Sequence, residues 1–100
     1  MNFTIIFSPL SKRDIANTFH YITHELKEPS TANKYVEGIY QSIKKLAANG
    51  NIYAPSEREY IQNLYGPNAR TVRYKKMTIV FNIIGNIILI RRVMASSLVR

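Results

Sequence analysis

The chain has 100 residues and a formal charge of +8 at pH 7, with 46% hydrophobic residues and no cysteine. That length fits one modest core and excludes two. The composition excludes a disordered chain, and the lack of thiols excludes a disulfide framework, a thiolate metal site and a cysteine nucleophile.

Residues 3–7 are rich in β-formers and predict a short strand. Ser8-Pro9 then opens a helix, because proline suits a first turn whose N–H groups need no helical partner. Ser11 with Asp14 offers a second possible start, as a capping box. Ile15, Phe19, Ile22 and Leu26 follow at helical spacing and define one apolar face. Glu28-Pro29-Ser30 breaks this helix, and Ser30 or Thr31 can cap the next. Ala32, Val36, Ile39, Ile43, Leu46 and Ala47 form its stripe, which Asn49-Gly50 ends. The two helices make an αα-hairpin with both stripes on one partner surface.

Residues 51–69 are irregular, and Ile61 and Leu64 pin a short turn of helix there. Residues 70–74 read as a strand. Residues 77–84 and 87–94 form a hairpin closed by Gly85-Asn86, since glycine tolerates the positive φ of a primed turn. That turn sets a register in which Ile84 faces Ile87, Phe81 faces Ile90, Val80 faces Arg91 and Ile79 faces Arg92. Met77, Ile79, Phe81, Ile83, Ile88, Ile90, Arg92 and Met94 then share the greasier face, which should take the helices. Thr78, Val80, Asn82, Leu89, Arg91 and Val93 share a mixed face left open to water or a partner. Phe19, Ile22, Val36, Ile39, Ile43, Ile79, Phe81 and Ile90 are the expected core. The predicted fold class is α+β: a β-α-α-β-β-β two-layer domain over residues 1–100, its helical hairpin packed on a mainly antiparallel sheet.

Charge is distributed unevenly along this order. No acidic residue follows Glu59, whereas Arg70, Arg73, Lys75, Lys76, Arg91, Arg92 and Arg100 all do. The net charge is +2 over residues 1–50 and +6 over residues 51–100. A one-sided positive field points to an anionic partner, a nucleic acid or an acidic protein segment. The N-terminus lacks a secretory pattern, and the longest apolar stretch, residues 77–90, is interrupted and too short to span a bilayer. A cytoplasmic location without membrane contact is expected.

Residues 7–15 (FSPLSKRDI), Tyr21-Ile22, the segment from Glu28-Pro29 through Ala32 with Ile39, Ile43 and Leu46, and the strand Ile88-Leu89-Ile90-Arg91-Arg92-Val93 occur in a particular order. The ordered set resembles the RelE/ParE toxin superfamily of type II toxin–antitoxin modules. The resemblance covers most of the chain and implies a small basic growth-inhibiting toxin wrapped by a cognate antitoxin, with no cofactor. RelE-like members cut mRNA, usually on the ribosome, and ParE-like members block DNA gyrase. The ribonuclease branch tends to place Arg, His or Tyr after the last strand. Residues 95–100 here hold neither His nor Tyr, and Ala95 stands about where many relatives have histidine. The resemblance is therefore nearer the ParE-like branch and implies inhibition of gyrase by binding. The alternatives are a RelE-like ribosome-dependent mRNA endoribonuclease and an inactive antitoxin-binding member.

Arg73, Lys75, Lys76, Arg91 and Arg100 are the candidate residues for binding a partner or nucleic acid. Were RNA cleaved, positive charge at the phosphate and a proton carrier would be needed. Arg91, Arg73 and Tyr74 are the candidates for those tasks, with Tyr60, Glu57 and Glu59 as further proton carriers. Arg92 is assigned to the helix side, paired with an acid such as Asp14 or Glu25. His20 and His24 stand four apart, but the metalloprotease glutamate and a third ligand are missing, so no metal is expected.

Overall fold

The computed structural model describes residues 2–100. Strand β1 (Thr4–Phe7) leads into helix α1 (Pro9–His20), which continues as a π-helical turn, Tyr21–Glu25. Helix α2 (Pro29–Asn49) returns and runs into a 3-10 turn, Gly50–Ile52. Helix α3 (Glu59–Tyr65) precedes strands β2 (Arg70–Tyr74), β3 (Met77–Ile84) and β4 (Ile87–Ala95), and a second 3-10 turn, Ser96–Leu98, follows. The sheet order is β1-β4-β3-β2, with β1 parallel to β4 and the other pairs antiparallel. This is the expected α+β arrangement. No helix among the described residues is long and apolar enough to cross a membrane.

Local chemistry explains where the helices begin. Ser8 caps α1 by accepting the Ser11 N–H at 3.0 Å, with Pro9 in the first turn, so the earlier of the two start signals is used. The Ser8 hydroxyl also donates to the Arg91 carbonyl at 3.0 Å, which ties the helix start to β4. Helix α2 begins at Pro29 rather than after a Ser30 or Thr31 cap, because the fixed φ of proline already suits the first helical position. Its Glu28 cap makes no side-chain bond. At the other end, Gly50 is needed for space: a Cβ there would run into the Ile88 side chain.

The main core packs Ile15, Ile39, Ile43 and Leu46 of the helices against Met77, Ile79, Phe81, Ile88, Ile90 and Val93 of the sheet. Six of the expected core residues, Ile22, Ile39, Ile43, Ile79, Phe81 and Ile90, are buried. Val36 packs at the margin of this core. Phe19 departs from expectation: it is only half-buried, its ring meeting His20 edge-on at 5.9 Å.

The predicted register holds only in the turn half of the hairpin. Ile84–Ile87 through Phe81–Ile90 pair as expected, with Gly85 at φ +59°. A bulge then inserts Arg91, so Val80 opposes Arg92, Ile79 opposes Val93 and Thr78 opposes Met94. A bulge slides the pairing by one residue and so exchanges the faces of everything beyond it. Val93 therefore joins the helix-side core, and Met94 turns to the other face. Arg92 pairs with Asp14, as expected, but reaches it from a position opposite Val80 rather than Ile79.

The second face is not left open along its length. Ile61 of α3 packs with Ala69, Val80 and Met94 in a second buried cluster, bordered by Tyr60, Tyr65 and Val99. Leu64, expected to help pin α3, is exposed.

Two stability measurements check this description. Phe81→Ala should lower unfolding free energy by about 3–5 kcal/mol in denaturant melts, the range for emptying a buried aromatic site. Asp14→Ala strands the Val93 N–H and should cost about 1–3 kcal/mol. In a double-mutant cycle with Arg92→Ala the two losses should not add. Additive losses would show that the pair is not coupled.

Candidate functional site

An apolar groove of about 650 Å³ lies between the helical hairpin and the outer half of β4. It exists because β1 stops short. Phe7 pairs with Ile90, and no strand pairs with the outer side of β4 beyond that point among the described residues. Met77, Val93, Met94 and Ala95 line it from the sheet, and Ile22 from the π-helical turn. Tyr21, Leu26 and Leu98 line it too and remain 56%, 50% and 58% exposed, which leaves large apolar side chains unpartnered at its mouth. Lys76, Asp14 and Arg92 supply charge.

The Asp14 carboxylate organises this wall. It accepts Arg92 Nε at 2.8 Å, Arg92 Nη2 at 3.1 Å and the Val93 N–H at 2.9 Å. The hydrogen bonds that Arg92 donates to Asp14 hold its guanidinium above its ordinary pKa, against the opposing pull of burial. Arg92 also donates to the Tyr65 hydroxyl at 3.3 Å. The π-helical turn that forms part of the groove was not predicted. Its near-helical side-chain spacing hides bonds such as that from the Leu26 N–H to the Tyr21 carbonyl at 3.2 Å.

The structure does not gather the five predicted basic residues into one patch. Arg91 is half-buried, donates to Asn82 Oδ1 at 2.8 Å and lies 5.4 Å from the centre of the Tyr65 ring. Arg73 is exposed on β2, its Nε donating to the Lys75 carbonyl at 2.9 Å. Val80 lies between them along β3, since Arg91 meets Asn82 and Arg73 pairs with Thr78. Lys75 sits in the β2–β3 turn at φ +51°, with its ammonium 5.8 Å from the Tyr35 ring and 5.5 Å from the Tyr74 ring. Lys76 faces the groove, and Arg100 is exposed beyond the last turn.

The proton-carrier candidates are dispersed as well. Tyr74 packs edge-on to Tyr35 at 5.4 Å, and Tyr60 borders the second cluster. Glu57 and Glu59 are exposed. His20 and His24 stack at 5.7 Å, and no group of three or more metal-ligating side chains occurs among the described residues.

A smaller polar pocket of about 210 Å³ lies elsewhere, lined by Arg58, Thr71, Val72, Arg73, Thr78, Ser96 and Val99. It includes Arg73 but otherwise escaped the sequence reading. Arg58 stands between Glu57 and Glu59, so its charge looked cancelled locally.

The chain matches the family described as ParE toxin of type II toxin-antitoxin system, parDE, over residues 5–97. Among curated proteins none matches. The fold is similar to a structure of the chromosomal ParDE toxin–antitoxin system from P. aeruginosa, with a TM-score of 0.75 and 23% identity over 93% of this chain and 95% of that one. It is also similar to the toxin–antitoxin complex RelBE2 from Mycobacterium tuberculosis, with a TM-score of 0.58 and 15% identity over 95% of this chain and 99% of that one. With the family matched across almost its whole length, the chain belongs to the ParE toxins of type II toxin–antitoxin systems.

Proposed function

We propose that this toxin acts in the cytoplasm by binding DNA gyrase, and that a cognate antitoxin neutralises it by seating an acidic and apolar segment in the groove. The observation that carries the antitoxin reading is the groove itself. Tyr21, Leu26 and Leu98 stand exposed at an apolar cavity beside an unpaired strand edge, with Lys76 alongside. Such a surface suits a segment that folds on binding, with backbone bonds along the edge and apolar side chains in the groove. Both similar structures carry toxin–antitoxin systems, which supports a partner of this kind.

The family and the chemistry available support gyrase over RNA cleavage. Cleavage by attack of a 2′-hydroxyl calls for a positioned proton carrier beside the phosphate. Neither His, Tyr, Asp nor Glu lines the polar pocket, and the turn Ser96–Leu98 supplies none. Binding to a target enzyme makes no such demand.

Charge introduced into the groove should separate partner binding from folding. Leu26→Asp and Leu98→Asp each alter an exposed side chain, so melting temperatures should barely move. Affinity for the product of a co-transcribed antitoxin gene should fall about tenfold or more, measured by calorimetry. Unchanged affinity in both variants would place the antitoxin elsewhere.

The target is tested by adding purified toxin to a gyrase supercoiling assay and following mRNA integrity after induction. Supercoiling should be inhibited while mRNA stays intact. Ribosome-dependent cleavage abolished by Arg91→Ala or Tyr74→Phe would instead establish the ribonuclease reading.

A further inference from the structure

We infer that two copies of this chain associate through the free edge of β1, in a two-fold dimer that joins their sheets into one. The inference involves neither the groove nor the choice of target. Strand β1 has β4 on one side and no strand on the other among the described residues. Alternate residues serve the β4 side: the Thr4 N–H donates to the Asn86 carbonyl at 2.8 Å, and the Ser8 N–H to the Ile90 carbonyl at 3.0 Å. The backbone groups of Phe3, Ile5 and Phe7 are thereby turned outward.

Only two of these three positions are available. The Phe3 N–H already donates to the Ala47 carbonyl at 2.6 Å, so the end of α2 occupies the edge there. Beyond Phe7 the chain turns into α1, and Pro9 has no N–H to give. Ile5 and Phe7 make no outward backbone bond among the described residues. Two free positions on each copy define one antiparallel register that uses them all. Ile5 of each copy lies opposite Phe7 of the other, and each such pair exchanges two N–H···O bonds. Ile6 then faces its own equivalent on the two-fold axis, in a pair without hydrogen bonds where side chains come closest.

Side chains and charge select a second copy as the occupant. Residues 2–10 hold no charged side chain, in a chain of formal charge +8. Two identical cations repel over most of their surface and meet at least cost on a neutral strip. An acidic partner finds no cation on this strip and is drawn instead to residues 51–100, which carry +6. Edge strands that stay free are guarded by charge, proline or a bulge. Strand β2, the other edge, carries Arg70 and Arg73, whereas β1 is Thr-Ile-Ile-Phe. Ile6 is 43% exposed, while Ile5 and Phe7 pack against the main core. Tyr40 meets the Phe7 ring edge-on at 5.8 Å and stays exposed, so apolar surface flanks the edge on the helix side too.

Sedimentation equilibrium of the purified toxin should show a concentration-dependent dimer. Ile6→Lys sets two ammonium groups against each other on the axis and should weaken it at least about tenfold. Ile52→Lys adds the same charge at an exposed apolar position after α2 and should leave it nearly unchanged. Both side chains are exposed, so both variants should fold, as a melt will verify. The chain has no cysteine, so Ile6→Cys introduces the only one. Facing residues of such a pair have Cα atoms about 4.5 Å apart, within disulfide reach, so mild oxidation should give a covalent dimer. Thr4→Cys should not cross-link, because this register sets the two copies of position 4 about 13 Å apart.

A toxin that stays monomeric at about 1 mM would overturn the inference. So would a dimer that survives Ile6→Lys, or Thr4→Cys cross-linking as readily as Ile6→Cys. Loss of antitoxin affinity on Ile6→Lys would assign the strand edge to the antitoxin and overturn it as well.

Discussion

One carboxylate, that of Asp14, stands where the sheet runs out of strand. Strand β1 ends opposite Ile90, and β4 continues to Ala95. An exposed N–H on this stretch would ordinarily need the next residue of a neighbouring strand. Asp14 supplies the acceptor instead, taking the Val93 N–H as a strand carbonyl would while holding Arg92 with both oxygens. These contacts join positions 78 and 79 residues apart in sequence. Helix α1 is thereby locked to the sheet edge rather than merely resting on its face. Without that lock the groove would have one fixed wall.

The bulge at Arg91 makes this contact possible and distributes the positive charge. Tyr65 lies beneath the Arg91 guanidinium and accepts from Arg92 through its hydroxyl. Asn82 accepts from Arg91 and donates to the Tyr65 carbonyl at 3.2 Å. Two arginines of β4 thus hold α3 down on the second face. Arg70 has a similar task, donating to the Tyr53 carbonyl at 2.7 Å and so tethering the irregular segment to β2. Much of the basic half is therefore engaged in holding the fold, and the exposed remainder faces different ways.

The helices, the hairpin turn and most core positions were legible because each rests on local, periodic signals. Ile39, Ile43 and Leu46 recur at the helical repeat, and Gly85 marks its turn. The bulge rests on a long-range bond and left only an indirect trace. Strict alternation through Ile90-Arg91-Arg92-Val93 sent Arg92 into an apolar face, a cost that one inserted residue removes. That conflict was the available clue. The covering of the second face was hidden for another reason, since Ile61 announces a short helix without saying where it docks. Arg58 was missed because its sequence neighbours are acidic, while its neighbours in space are hydroxyls and another arginine.

The pairing of β1 with β4 also governs when this molecule can come into being. Among the described residues Thr4–Phe7 finds its only strand partner in Ile87–Ile90, made last among the strands. At a synthesis rate of roughly 5–20 residues per second, the first strand waits on the order of ten seconds for its mate. The groove wall cannot assemble before then, because Arg92 and Val93 belong to the same late segment. A ribosome partway through the message therefore carries a chain that has neither its finished sheet nor its apolar groove. Translation that stalls before Ile87 leaves Thr4–Phe7 with no strand to pair with.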